Sequence, residues 1–155
     1  MIDEKDKKIL LSLLIDGRSS YADIGKNVGL TRQTVYSRIK SLKKKGYIKK
    51  FTTKLDLKKL DLKLKAYILL KARTKKELRK EAEKKLKRIP QISQMNYLYG
   101  QFDILLEVIV RDIDELTSLL KRLHEMQVVE KTETLMVYDI VKYKPEDPVK
   151  RVLNE

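Results

Sequence analysis

The stretch from Ser20 to Lys45, S-Y-A-D-I-G-K-N-V-G-L-T-R-Q-T-V-Y-S-R-I-K-S-L-K-K-K, constrains this chain more than any other. Its apolar residues recur at helical spacing in two short runs separated by a glycine. Ser20, with Asp23 three residues later, is a capping-box-like start in which Asp replaces the usual Glu or Gln. Ile24 and Val28 then share one helical face. Gly29 supplies the left-handed residue that ends a helix, and Leu30 plugs the corner. Thr31 caps a second helix whose apolar residues are Val35, Ile39 and Leu42. The pattern predicts two short helices joined by a tight turn.

With those three residues turned inward, Arg32, Gln33, Tyr36 and Lys40 face outward. Arg and Gln carry planar hydrogen-bonding edges that pair bidentately with guanine and adenine in the DNA major groove. Their place in the first turn suits a recognition helix that enters the groove by its N-terminus. The predicted DNA-binding set is Thr31, Arg32, Gln33, Thr34, Tyr36, Ser37, Arg38, Lys40 and Lys43. Within it Arg32, Gln33 and Tyr36 would read bases, and Arg38, Lys40 and Lys43 would hold the phosphate backbone. The competing reading is an ordinary helical hairpin with a solvated basic face.

Charge distribution favours an anionic partner. The 155 residues carry a net +14, unevenly spread. Residues 1–50 hold 13 Lys/Arg against 5 Asp/Glu, residues 51–90 hold 15 against 5, and residues 91–155 hold 8 against 12. There is no Cys, which excludes disulfides and thiol catalysis, and the single His124 gives no basis for a His-rich metal site. No nucleophile motif, phosphate loop or clustered His/Asp/Glu set points to an enzyme or a bound cofactor. No run approaches the roughly 18 apolar residues of a membrane span. The start M-I-D-E-K-D lacks an apolar signal core, so the expected location is cytoplasmic. Abundant Lys and Glu without Cys or Trp is a hyperthermophile-like bias.

Taken in order, Asp3 caps a first helix to about Ile15 with the stripe Ile9, Leu10, Leu13 and Leu14, completing a three-helix head. Gly46 stops the recognition helix. Tyr47 to Leu55 reads as an extended strand that needs a partner, which the same strand of a second copy would supply. A repeat follows. A-Y-I-L-L-K-A-R-T-K-K-E-L (66–78) and I-L-L-E-V-I-V-R-D-I-D-E-L (104–116) are each an apolar strand ending in Arg, then a capping box, Thr74 with Glu77 and Asp112 with Glu115. Each half closes with another strand, from Ile92 and from Val129, and Gly100-Gln101 forms the hairpin between halves. That β-α-β, β-α-β order is the ferredoxin-like plan, one antiparallel sheet with two helices on one face. The uncovered face would expose Met95, Tyr97 and Tyr99, which argues for self-association. The expected fold is α+β: a helix-turn-helix head (1–46), linker strand and connector (47–64), a ferredoxin-like domain (65–142), and a mobile or subunit-contacting tail (143–155).

These residues resemble the leucine-responsive/AsnC (feast/famine) transcription regulators. In the head the resemblance rests on I-D-E-K-D-K-K-I-L, D-G-R-S-S, V-G-L-T, V-Y-S-R-I-K-S-L and G-Y-I, and behind it on Y-G-Q-F-D-I-L-L-E-V, D-I-D-E-L and K-T-E-T-L-M-V. It implies a DNA-binding regulator that dimerises through its ferredoxin-like domains, pairs its linker strands and assembles further, commonly to an octamer. It also implies that an amino acid or similar metabolite modulates assembly or DNA affinity. The effector site implied is Tyr99, Gly100, Gln101, Phe102 and Asp103, with Thr132 and Thr134 on the last strand. The chain departs from the family at Gln101, usually acidic, and at Phe102, usually Tyr; Gly25 stands where Ala is usual and loosens its helix slightly. Two heads would bind half-sites about 34 Å apart on a roughly palindromic operator. The alternative is an architectural protein that wraps DNA without a small-molecule effector.

Overall fold

The structure, a computed structural model, describes residues 2–73 and 76–154, without the side chains of residues 76–79. It divides into two compact units, residues 1–54 with 142–155, and residues 55–141. The first unit holds α1 (Glu4–Ile15), α2 (Tyr21–Val28), α3 (Arg32–Lys44) and a C-terminal helix, α6 (Asp147–Asn154). The second holds β1 (Leu64–Ala72), α4 (Lys76–Leu86), β2 (Ile92–Tyr97), β3 (Ile104–Val110), α5 (Ile113–His124) and β4 (Val129–Met136).

The head follows its capping signals. Asp3 caps α1 and forms a reciprocal capping box with Asp6, while Ser20 and Thr31 accept from the backbone N–H groups of Asp23 and Thr34. Gly29 ends α2 at φ +67°. Gly46 (φ +80°) ends α3 in a Schellman arrangement, its N–H donating to Lys43 and that of Tyr47 to Leu42. Ile9, Ile24, Val28, Val35, Ile39 and Leu42 form one buried cluster, against which Leu10, Leu13, Leu30 and Ile48 pack; Leu14 stays at the surface.

The second unit is a four-stranded antiparallel sheet in the order β2-β3-β1-β4, the ferredoxin-like arrangement. Ala66, Ile68 and Leu70 of β1 and Leu106, Val108 and Val110 of β3 meet Leu86, Ile89, Leu116, Leu119 and Leu123 in its core. Asp112 caps α5, with Glu115 N–H donating to its carboxylate at 2.8 Å, but the Glu115 carboxylate accepts the Arg111 N–H rather than that of Asp112, so the expected capping box is only half made. The one expected from Thr74 and Glu77 lies outside the described residues, as does the side chain of Leu78.

Three expectations change. Residues 47–55 carry no strand in the single chain, since an extended segment is a strand only against a partner. Met95 and Tyr97 face the helices rather than the open side, because they pair with Leu106 and Ile104. A register shift between Ile92 and Gln94 reverses the alternation, and the open side receives Gln94 and Asn96 instead. Most of the tail is helix α6, which packs against α1. Its signals were present: Pro148 in the first turn and Val149, Val152 and Leu153 at helical spacing.

Gly25 has a function beyond propensity. It is buried, and a Cβ built on it would lie 2.5 Å from the carbonyl oxygen of Leu30, whose N–H donates to Gly25 at 2.9 Å. Glycine therefore lets the turn close tightly on α2. Gly25→Ala gains about 1 kcal/mol of helix propensity but meets an overpacking cost of about 1–3 kcal/mol. A net drop in the thermal midpoint of the head is expected by circular dichroism; a rise would show that the turn relaxes at no cost.

Candidate functional site

On α3 the buried stripe of Val35, Ile39 and Leu42 fixes which residues look outward. Arg32, Gln33, Ser37, Lys40 and Lys43 are exposed in the first unit. Thr31 and Thr34 are occupied with the helix start, their hydroxyls 2.8 Å apart and Thr34 N–H donating to Thr31 at 3.1 Å. The Tyr36 ring, 44% exposed, leans on Tyr21 with centroids 5.9 Å apart. Lys43 Nζ sits 5.8 Å from the centroid of the Phe51 ring, a cation–π contact. The first turn of α3 thus presents Arg32 and Gln33 together, with Tyr36, Ser37 and Lys40 on the following turn.

Arg38 departs from its expected place among the phosphate contacts. Its Nη1 donates to Asp3 at 2.6 Å and to Asp6 at 2.9 Å. Asp6 is the buried charged residue among those described. The guanidinium therefore ties the middle of α3 to the N-terminus of α1, where the helix dipole already favours carboxylates. The hydrogen bond from Arg38 holds the Asp3 carboxyl below its ordinary value, and the reciprocal bond holds Arg38 above its own. Lys5 Nζ donates to the Val28 carbonyl and fastens the end of α2 to the same helix. Neither α1 contact was legible before the three helices were placed in space.

In the second unit the residues of the implied effector site gather at one end of the sheet but serve different partners. Gly100 adopts φ +142° at the hairpin, beside fully exposed Tyr99 and exposed Gln101. The Phe102 ring lies 5.8 Å from Lys131 Nζ. Asp103 is built into the sheet: its carboxylate accepts the Ala72 N–H at 2.8 Å, its N–H donates to Leu70, and its carbonyl accepts from Leu98. Thr132 and Thr134 pair with Leu70 and Ile68, which puts them on the helix-covered side of β4. There the Thr132 hydroxyl is 2.7 Å from His124 Nε2, a bond the position of His124 at the end of α5 did not foretell. A cleft of about 470 Å³ elsewhere on this unit is lined by Glu81, Lys85, Arg122, Glu125 and their neighbours, none from that set. Among the described residues no group of three His, Asp or Glu side chains is placed to hold a metal ion, and no helix is long and apolar enough to cross a membrane.

Comparison with known proteins gives both halves a counterpart. Residues 2–43 match the AsnC-type helix-turn-helix domain and residues 65–147 the Lrp/AsnC ligand binding domain. The HTH-type transcriptional regulator FL11 of Pyrococcus furiosus is 33% identical over 97% of this chain and 98% of its own. An uncharacterised HTH-type transcriptional regulator of the same organism is 36% identical over 91% and 94%. Among solved structures, a transcriptional regulator of Neisseria meningitidis in complex with L-Met superposes with TM-score 0.92 at 23% identity, covering 98% of this chain and 99% of that one. The E. coli protein AsnC superposes with TM-score 0.85 at 26% identity, over 93% and 97%.

The Arg38 bridge carries a pH signature. Because the folded Asp3 carboxyl is depressed, its contribution is complete above about pH 4 and is lost as pH falls through the lowered value. Arg38→Ala strands the buried Asp6 carboxylate, costing about 1–3 kcal/mol near neutral pH. It also removes the Asp3 part of the acid dependence. Urea unfolding followed from pH 7 down to the acid limb should show a lower midpoint and a flatter decline for the variant; parallel curves would remove the bridge from the head's stability.

Proposed function

The chain belongs to the Lrp/AsnC family of transcriptional regulators, and on that premise we propose that it binds operator DNA sequence-specifically and answers to an amino acid or related metabolite. The observation that carries the DNA reading is the joint exposure of Arg32 and Gln33 in the first turn of α3, where planar donors meet base edges head-on. Tyr36 adds an edge contact, and Lys40 and Lys43 hold phosphates. Arg38 acts differently: through Asp3 and Asp6 it sets the angle at which α3 is presented, and so is a positioning residue.

A second copy completes the arrangement. The open sheet face offers Tyr67, Leu69, Leu105, Ile109 and Leu135, and residues 49–55 offer a backbone without a strand partner in the single chain. Two subunits joined there present two heads to a roughly palindromic site. The ligand reading is supported by the domain match over residues 65–147 and by the L-Met bound to the Neisseria regulator. Around the hairpin, backbone N–H groups at Gly100–Gln101 suit a carboxylate, and Phe102 with Lys131 forms one wall. Asp103 and Thr132 shape that end of the sheet rather than reach for ligand. An effector shifts DNA affinity only by favouring one assembly over another.

Arg32→Ala and Gln33→Ala should each cost about 1–3 kcal/mol of discrimination at one base position. Lys40→Ala should weaken all sequences alike and reduce the salt slope by roughly one unit. Operator selection from a random duplex pool, followed by titration in graded salt, separates the two classes. Equal affinity of the intact protein for selected and scrambled duplexes would replace this reading by sequence-independent wrapping. Calorimetric titration with the common amino acids, methionine first, should give one binder that also changes the sedimentation profile, with Phe102→Ala weakening its binding.

A further inference from the structure

Helix α4 separates its charges with a consequence for nucleic acid. Ala82 and Leu86 turn toward the sheet. On one flank Glu81 pairs with Lys85 at 2.7 Å, and on the other Glu83 pairs with Lys87 and accepts the Tyr97 hydroxyl at 2.7 Å. Both carboxyls are held below their ordinary values, first by these lysine hydrogen bonds. The acidic residues of the described part of α4 are therefore spent on its sides. Lys80 and Lys84, four residues apart, occupy the pole opposite Ala82, and Arg88 follows in the turn after the helix. All three are exposed, and none pairs with an acidic side chain among the described residues. The step from Lys80 to Lys84 advances about 6 Å along the helix, and Arg88 lies four residues further on, so each cation addresses its own phosphate.

From this we infer that the outward pole of α4 is a second double-stranded DNA contact, remote in sequence from α3, which engages the phosphate backbone without reading bases. The inference rests on the DNA-binding function proposed above. Charge complementarity selects the occupant: residues 51–90 carry 15 Lys/Arg against 5 Asp/Glu, and the described side chains of this pole are cations. A protein partner would need a buried aromatic or aliphatic anchor, which Lys80, Lys84 and Arg88 do not supply. Duplex DNA needs only closely spaced positive charge, and releases counterions in return. The head selects the site, and α4 then adds affinity that is indifferent to sequence.

The test uses the full-length protein, a long mixed-sequence duplex and graded salt. Lys80→Ala/Lys84→Ala/Arg88→Ala should lower the slope of log K against log salt by about 2–3 units, at about 0.9 per phosphate. Preference for a selected operator over a scrambled one should stay unchanged, and Lys80→Arg/Lys84→Arg/Arg88→Lys should keep the wild-type slope. Circular dichroism guards against misfolding, and alanine at Lys80 and Lys84 favours the helix. Lys58→Ala/Lys59→Ala/Lys121→Ala removes as many exposed cations elsewhere on the same unit. An equal loss of slope from that variant would make the effect one of bulk charge and overturn the inference. An unchanged slope in the α4 variant, with the intact protein binding normally, would overturn it and leave the α3 reading standing. Failure of the intact protein to bind any duplex would overturn both.

Discussion

One guanidinium decides how the head is put together. Three short helices with six buried aliphatic side chains have a core, but aliphatic packing alone tolerates rotation about helix axes. Arg38 removes that freedom by reaching from the middle of α3 to two carboxylates at the start of α1. One of them is buried, and a buried carboxylate without its cation is costly, so the pair specifies a geometry as well as joining two elements. The exposed face of α3 inherits its direction from that constraint. Thr31 and Gly46 define where the helix begins and ends, and Lys5 holds the end of α2 to the helix that Arg38 also grips.

In the second unit the equivalent organising element is β1, paired on both sides and alternating Ala66, Ile68 and Leu70 inward with Lys65, Tyr67 and Leu69 outward. Two helices cover the first set. The second set lies beside Glu107, which bonds Lys65 at 2.7 Å and Ser93 at the same distance, so the open face mixes aliphatic area with a satisfied polar cluster. An entirely apolar face would adhere to anything, whereas a face with fixed ion pairs discriminates between partners. Asp103 performs a related task at the end of this sheet, where its carboxylate occupies a backbone N–H at the last residue of β1.

Local rules account for what could be read in advance. Caps and glycines marked the helix ends to within a residue or two because those signals act through neighbours in sequence. The repeat of strand and helix gave the topology for the same reason. What depends on something distant was not legible. The faces of Met95 and Tyr97 turn on the bulge at Ser93, visible only in the pairing with β3. The ion pairs of Arg38 could not be read because its carboxylate partners lie more than 30 residues away. The hydroxyl of Thr132 looked available until His124 was seen to meet it. The residues implied by resemblance to a family were the least legible, since no spacing or periodicity in the sequence specifies a role for them.

The packing of α6 on α1 gives the head an unusual relation to time. Its first three helices leave the ribosome early, yet the helix that packs on α1 is formed by residues 147–154 and emerges only after the sheet unit. Every residue of the sheet unit is synthesised between the two, so this contact closes the largest loop in the chain and adds heavily to contact order. The head therefore stays incompletely covered until the sheet unit has been made, and its final shape depends on residues that lie beyond that unit in sequence.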